Sequence, residues 1–395
     1  MQILNEKLWN WASILDEETQ KQAEAVSRLP IVVGHVCLLP DAHVGVGAVV
    51  GSCILTEGAI APGLLGVDLH CGVLGIFTDI DANSITTESA QLIYNGIAQA
   101  IPDEVSLGSG KTTVSIGERD TWYHNHPTPR QYDHNLLGHS SSQIGTLGSG
   151  NHFIEVVRVQ ETGKVAILVH SGSRGIGNTL ATEALKRAKE ICKKDNREIE
   201  HPDLSYFLET DDEFWPYIAD VKWCGEYAKQ NRIYMGLSVW SVVNQLFSGR
   251  ITNVIHCVHN YTAREVHEGR EVWTTRKGAI SARSGELGVI PGSMTTYSYV
   301  VMGKGSEDSY QTSSHGAGRL LSRTKAKLVE TEETLSAEMT DAVWGGAEGL
   351  TDEGGKSYKD VFTVMNDQTD LTTPIQTLRR IVNYKWRDHG RKGKR

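Results

Sequence analysis

Six short phrases in the 395-residue chain set a histidine beside glycine or small residues: PDAHVG, GVDLHCG, GSGNHFIE, LVHSGSRG, CVHN and SSHGAGR. They put His43, His70, His152, His170, His259 and His315 at the ends of strand-like runs, where side chains from distant parts of a chain can converge. One such histidine usually just satisfies a surface or a core; six together point to a site. In GVDLHCG, Asp68 and Cys71 lie three apart, so a carboxylate and a thiolate can reach one metal from a single turn. Adding His152, His170 and His259 gives a mixed oxygen, nitrogen and sulfur set that suits Zn, Mn, Fe or Co, and ligand type alone does not choose among them. An isolated intracellular cysteine would more often be a small buried hydrophobe.

His315 in SSHGAGR has small neighbours and Arg319 four residues on. A neutral imidazole attacks phosphorus without first losing a proton, so His315 reads as a nucleophile or as a further metal ligand, and spacing leaves both open. The glycine turns also suit phosphate, because freed backbone N–H groups make anion-binding hollows, and Arg174 in HSGSRG adds a bidentate cation. Gly172, Gly175 and Gly177 do not follow the dinucleotide fingerprint, and no Walker GxxxxGK[ST] occurs, which disfavours Rossmann and P-loop sites.

These phrases need elements to hold them. An amphipathic helix is expected from Glu17 to Leu29, ending at Pro30, followed by short strands over 31–78 and a helix over about 87–100. A Gly/Ser/Thr-rich, histidine-containing stretch from Leu107 to His139 reads as a long functional loop. Strands HFIEVVRV and VAILVH come next, then helices from Asn178 to about Phe247. Strands are expected at VIHCVH, EVWTTRK and SYVVMG, with helices near Gly318 to Thr331 and another ending at Arg380. No repeat or Pro/Ser linker divides the chain, so the expectation is one mixed α/β (α+β) domain with helical insertions.

Composition narrows the partners. The net charge of −9, from 39 Lys+Arg against 48 Asp+Glu, excludes a histone-like basic binder but not a local basic groove. No apolar run approaches the ~20 residues of a membrane span, and the N-terminus does not read as a signal peptide, so a cytoplasmic protein without a membrane partner is expected. Six cysteines without a CxxC support neither a disulfide framework nor a zinc ribbon.

Read together, PDAHVGVGAVVGS, GVDLHCG, GTLGSGNHFIEV, HSGSRGIGN, HNY, RKGAISARSG, IPGSM and SHGAGRLLSRTKAK resemble the RtcB-type RNA-splicing ligases. The resemblance implies an RtcB-like single-domain fold over 1–385 with a central metal-containing cleft. It implies joining of an RNA 3′-phosphate or 2′,3′-cyclic phosphate to a 5′-hydroxyl, dependent on GTP and two Mn²⁺ ions, with a monomer as the expected state. Cys71 would bridge the ions, with Asp68 and His152 on one and His170 and His259 on the other. His315 would be the guanylylated nucleophile, with Asp41 and His43 at the reaction centre. Asn151, Glu155, Ser293, Arg319 and Lys385 would contact GTP, and Arg174 and Lys277 would hold RNA phosphates; Arg319 suits either role.

The sequence departs from that pattern at His70, where the family usually has Gly and an extra imidazole is expected to crowd or join the metal site, and at Val46, where Lys or Tyr is common. Residues 386–395, WRDHGRKGKR, read as a basic tail that is either a solvated end or an arm gripping RNA. Two competing functions are a dimetal phosphoesterase, which the Asp41-x-His43 and Gly150-Asn151-His152 phrases superficially suit, and a non-catalytic RNA-binding relic. The first lacks its remaining phrases; the second leaves His315 and five intact metal-ligand residues without a purpose.

Overall fold

The computed structural model describes residues 1–101 and 112–386, and the basic tail apart from Trp386 lies outside them. Strands and helices alternate irregularly in a mixed α/β fold built on two principal sheets. A six-stranded sheet runs in the order Gln2–Asn5, Leu8–Asn10, Val32–His43, Val50–Thr56, Arg270–Lys277, Tyr261–His267. A larger, eight-stranded sheet runs Ile251–Val258, Gly72–Asp81, Lys164–Ser171, Phe153–Val159, Thr372–Lys385, Ser298–Gly303, Leu287–Ile290, with Val343–Trp344 paired beside Thr372–Lys385. This second sheet curls until its two edges meet, Cys257 Sγ lying 3.7 Å from the Val289 carbonyl. A nearly closed barrel of this kind protects its own edges.

The apolar runs that read as strands are buried on both faces where the sheet is covered by helices. Ile154, Val156, Ile167 and Val169 meet Met235, Val239 and Val243 of the 34-residue helix Phe214–Phe247, together with Ile93 and Ile97 of the helix Thr87–Ala100. Leu180, Ala184 and Ala188 of the helix Arg174–Lys194 pack against Tyr217, Val221 and Tyr227 in a second core. At 1.5 Å per residue the long helix spans about 50 Å, and it packs across the strands Gly72–Asp81 and Lys164–Ser171.

The opening helix is Glu17–Ser27, capped by Asp16, and the helix Thr87–Ala100 begins at a Thr86–Ser89 capping box. Two expectations are corrected. Residues 107–111 of the expected loop lie outside the described residues, and from 112 to 139 the stretch is not one long loop: it holds a helix at Ile116–Asn125 and the start of another at His134–Gln143, opened by Ser115 with Glu118 and by Asp133. Trp122 and Tyr132 from this stretch enter the core against Trp223 and Tyr227. The segment expected as a helix ending at Arg380 is instead the strand Thr372–Lys385. Pro374 and the β-branched Thr372, Thr373, Ile375, Thr377, Ile381 and Val382 oppose a helix there, and Phe153–Val159 and Ser298–Gly303 satisfy its backbone on both sides.

Candidate active site

Strand register brings the ligand-type side chains together. Val73 faces His170, Phe153 faces His170 on the other side, and Gly72 faces Val258. Cys71, His152 and His259 therefore sit one residue beyond the paired ends of their strands, and His170 sits near the end of the strand between those of the first two. The His259 N–H donates to the Cys71 carbonyl at 2.7 Å, which ties His259 to Cys71.

The donor atoms fall into two triads that share one thiol: Asp68, Cys71 and His152, and Cys71, His170 and His259. Cys71 Sγ lies 3.4 Å from His152 Nε2 and 3.3 Å from His170 Nε2; His152 Nε2 is 2.9 Å from Asp68 Oδ2, and His170 Nε2 is 3.3 Å from His259 Nε2. His152 Nδ1 donates to the Leu147 carbonyl at 3.0 Å and His170 Nδ1 to the Asn151 carbonyl at 3.3 Å. That fixes the tautomer in both rings and leaves each Nε2 lone pair turned inward, the arrangement of metal-bound histidine. Burial, then neighbouring imidazoles, hold His170 and His259 well below the ordinary histidine value, so both are neutral and able to ligate. Burial and the Asp68 carboxylate push the Cys71 thiol well up. Inward-facing imidazoles around a buried thiol fit a cation and make a poor apolar core, so the residues present suit a metal centre.

His315 stands against this cluster, its ring centroid 4.4 Å from that of His259. Its Nδ1 donates to Asp41 Oδ2 at 2.6 Å, and its backbone N–H reaches the same oxygen at 3.2 Å. The proton is thereby held on Nδ1 and the lone pair left on Nε2. Asp41 is fully buried and closely confined. A Cβ added at Gly318, where φ is +72°, would come within 2.3 Å of its carbonyl oxygen; one at Gly51 would come within 2.7 Å of Oδ1. Lys359 Nζ grips the flanking carbonyls of Pro40 and Ala42 at 2.9 and 2.8 Å. His43, half-buried beside them, donates Nδ1–H to the Asp41 carbonyl at 2.8 Å and is lowered to about 4 by burial, so its Nε2 is a neutral acceptor at physiological pH.

Both groups open into one cavity of about 360 Å³. Asn151, Glu155, Ser293 and Lys385 also line it. Glu155 Oε1 accepts from Asn383 Nδ2 at 2.8 Å, and burial raises its carboxyl above the ordinary value. Lys385 Nζ pairs with Glu353 Oε2 at 2.9 Å and donates to the Gly150 and His152 carbonyls at 3.2 and 3.3 Å. The sequence does not single out Glu353, Asn383, Lys359 or Arg323; all stand outside the glycine-flanked phrases except Arg323, which lies within SHGAGRLLSRTKAK.

The residues expected to meet phosphate are placed differently. Lys277 lines the cavity but spends its ammonium on the carbonyls of Val46 and Gly63 (3.0 Å to the latter), and burial lowers it to about 7. Arg319 lines it too, with its guanidinium on the Leu321 and Asp352 carbonyls, Glu353 and Tyr358. Arg174 stands outside the cavity lining, its Nε on Thr146 Oγ1 at 3.2 Å. His70 does not join the ligand cluster. Its ring turns to a separate hollow with Lys222, Gly225 and His256, and its backbone sits at φ 53°, the left-handed region that favours glycine. Val46 is exposed at the cavity rim.

A family model described as tRNA-splicing ligase RtcB matches residues 22–386. The chain belongs to the RtcB family. RNA-splicing ligase RtcB1 of Escherichia coli strain ATCC 25922 and RNA-splicing ligase RtcB of Escherichia coli strain K12 are each 34% identical to it over 400 residues, covering 95% of this chain and 96% of the relative. Membership identifies an enzyme, a ligase, and counts against both the phosphoesterase and the non-catalytic readings. No helix among the described residues is long and apolar enough to cross a membrane.

Proposed function

We propose that this RtcB-family ligase joins RNA ends bearing a 3′-phosphate or 2′,3′-cyclic phosphate to 5′-hydroxyl ends, using GTP and two Mn²⁺ ions, as a monomer in the cytoplasm. The observation that carries the reading is the meeting, in one cavity, of an imidazole with its tautomer fixed by a buried carboxylate and a cluster of metal-type donors. Asp68, Cys71 and His152 would hold one ion, and Cys71, His170 and His259 the other. Bound metal would neutralise the triphosphate and activate the water that opens a cyclic phosphate.

His315 Nε2 attacks the α-phosphorus of GTP, a P–N bond forms as the P–O bond to pyrophosphate breaks, and Asp41 stabilises the positive charge that the ring acquires. The RNA 3′-phosphate then takes GMP from His315. The 5′-hydroxyl attacks the activated phosphate, GMP leaves, and the phosphodiester is closed. His43, with a neutral Nε2, is suited to accept a proton at the reaction centre. Glu155, Lys385, Asn151 and Ser293 supply the mixture of acceptors and donors that guanosine requires. Lys277 and Arg319 on the wall would meet phosphate only by exchanging the carbonyls they now hold, and Arg174, outside the lining with its Nε on Thr146, would need the RNA to reach past the cavity.

The test is end-specific ligation. An RNA pair with 3′-phosphate and 5′-hydroxyl ends, incubated with the protein, GTP and Mn²⁺, is expected to be joined on a denaturing gel, whereas a pair with 3′-hydroxyl and 5′-phosphate ends is not. Joining of the second pair alone, or joining without GTP, would overturn the proposal.

A further inference from the structure

The helix Phe214–Phe247 carries two fully buried polar residues in succession, Asn231 and Arg232, where it passes behind the ligand-bearing strand ends. Arg232 Nη1 donates to the carbonyls of His70 at 2.9 Å and Ser171 at 2.6 Å. Those two carbonyls belong to the immediate neighbours of Cys71 and His170, so one nitrogen spans the two strand ends that carry the shared thiol and a facing imidazole. Arg232 Nε donates to His256 Nε2 at 2.9 Å, and Nη2 has no hydrogen-bond partner among the described residues. A guanidinium buried on carbonyls and one imidazole is costly to desolvate, and a strand-end clamp is the return visible in its contacts.

Asn231 extends the same device. Its Oδ1 accepts from the Gly145 N–H at 2.7 Å, and its Nδ2 donates to Ser171 Oγ at 3.1 Å. Ser171 Oγ in turn donates to the Leu147 carbonyl at 2.7 Å, the same oxygen that fixes the His152 tautomer. From the far side of the sheet, one helical turn therefore reaches the supports of Cys71, His152 and His170.

We propose that Arg232 is a positioning residue for the metal centre: by bridging the His70 and Ser171 carbonyls it sets the spacing between Cys71 and His170. The inference rests on the reading of these residues as metal ligands. It also gives the His70 position a purpose independent of its side chain, since it is the carbonyl that is used.

The test is a Co²⁺ titration of the purified protein, followed through the thiolate-to-cobalt absorption band, in wild type, Arg232→Met and Arg232→Lys. Circular dichroism confirms folding at the assay temperature. Loss of a group that orients ligands weakens metal binding about 10–100-fold, which is the expectation for Arg232→Met, with a diminished band at saturation. Arg232→Lys, able to reach one carbonyl in place of two, is expected in between. A folded Arg232→Met with unchanged affinity and band overturns the inference. If neither variant folds, His256→Ala decides, because it removes an exposed partner of the guanidinium: about 5-fold weaker Co²⁺ binding supports the clamp and unchanged binding overturns it. A wild type that gives no thiolate band would instead overturn the metal-centre reading itself.

Discussion

Asp41→Asn and Asp41→Ala separate two contributions of the carboxylate that holds His315. Asp41 Oδ2 accepts two hydrogen bonds from His315, whereas Oδ1 is buried without a partner among the described residues. An asparagine in this place keeps both bonds by putting its carbonyl oxygen at the Oδ2 position, so the His315 tautomer survives, the negative charge is lost and Nδ2 is buried without an acceptor among the described residues. As Nε2 bonds to phosphorus the ring becomes cationic, and a carboxylate about 4 Å from the charge centre is worth about 4 kcal/mol at an effective dielectric of about 20. Guanylylation by Asp41→Asn is therefore expected to be slower by up to about 10³-fold. Asp41→Ala also loses the bond that orients the ring, about 1 kcal/mol more, and should be a further ~5-fold slower. The assay is single-turnover transfer of α-phosphate-labelled GTP to protein, with Mn²⁺ content measured on the same samples. A rate for Asp41→Ala within a few-fold of wild type, at equal metal content, would refute the assigned role; so would an asparagine variant slower than the alanine one.

Three other perturbations test different layers of the structure. Gly318→Ala forces a Cβ into the Asp41 carbonyl at a left-handed backbone position, and is expected to lower the melting temperature and to slow guanylylation together, because the displaced residue is the one that orients His315. Cys71→Ala removes the atom common to both triads, so bound metal measured by elemental analysis should fall from two ions to less than one, with loss of guanylylation and of sealing. Glu353 is buried, which raises its pKa, yet Lys385, Arg323 and Arg319 bring it down to about 2. Its folded value thus lies below its unfolded one, so its contribution is complete above about pH 4.5 and disappears as pH falls toward 2, amounting to about 3 kcal/mol. Thermal melts across that window should fall more steeply for wild type than for Glu353→Gln, and parallel curves would remove the assignment.

The site was largely legible in the sequence because its chemistry is carried by short glycine-flanked phrases at strand ends. Asp68, Cys71, His152, His170, His259 and His315 could each be picked out from a few neighbours, and strand register then brings them to one place. What supports them was not legible. Asn231 and Arg232 lie in an unbroken helical run where a polar pair reads as an exposed face, and only tertiary packing reveals that this face is turned inward. Glu353 and Asn383 meet Lys385 and Glu155 across long separations that no local pattern encodes. Thr372–Lys385 shows the same limit in the fold: TLRRIVNYK carries apolar residues at helical spacing, and the two strands that flank it decide the outcome. His70 shows how a departure can mislead, since the residue type suggested a ligand while the backbone turns its ring away.

His315 as the guanylylated residue is tested by incubating the protein with Mn²⁺ and GTP labelled at the α-phosphate, followed by a denaturing gel and acid treatment of the labelled band. A covalent, acid-labile label is expected on the wild type and absent from His315→Ala at unchanged fold and metal content. A label retained by His315→Ala, or none on a metal-loaded wild type, would contradict that role.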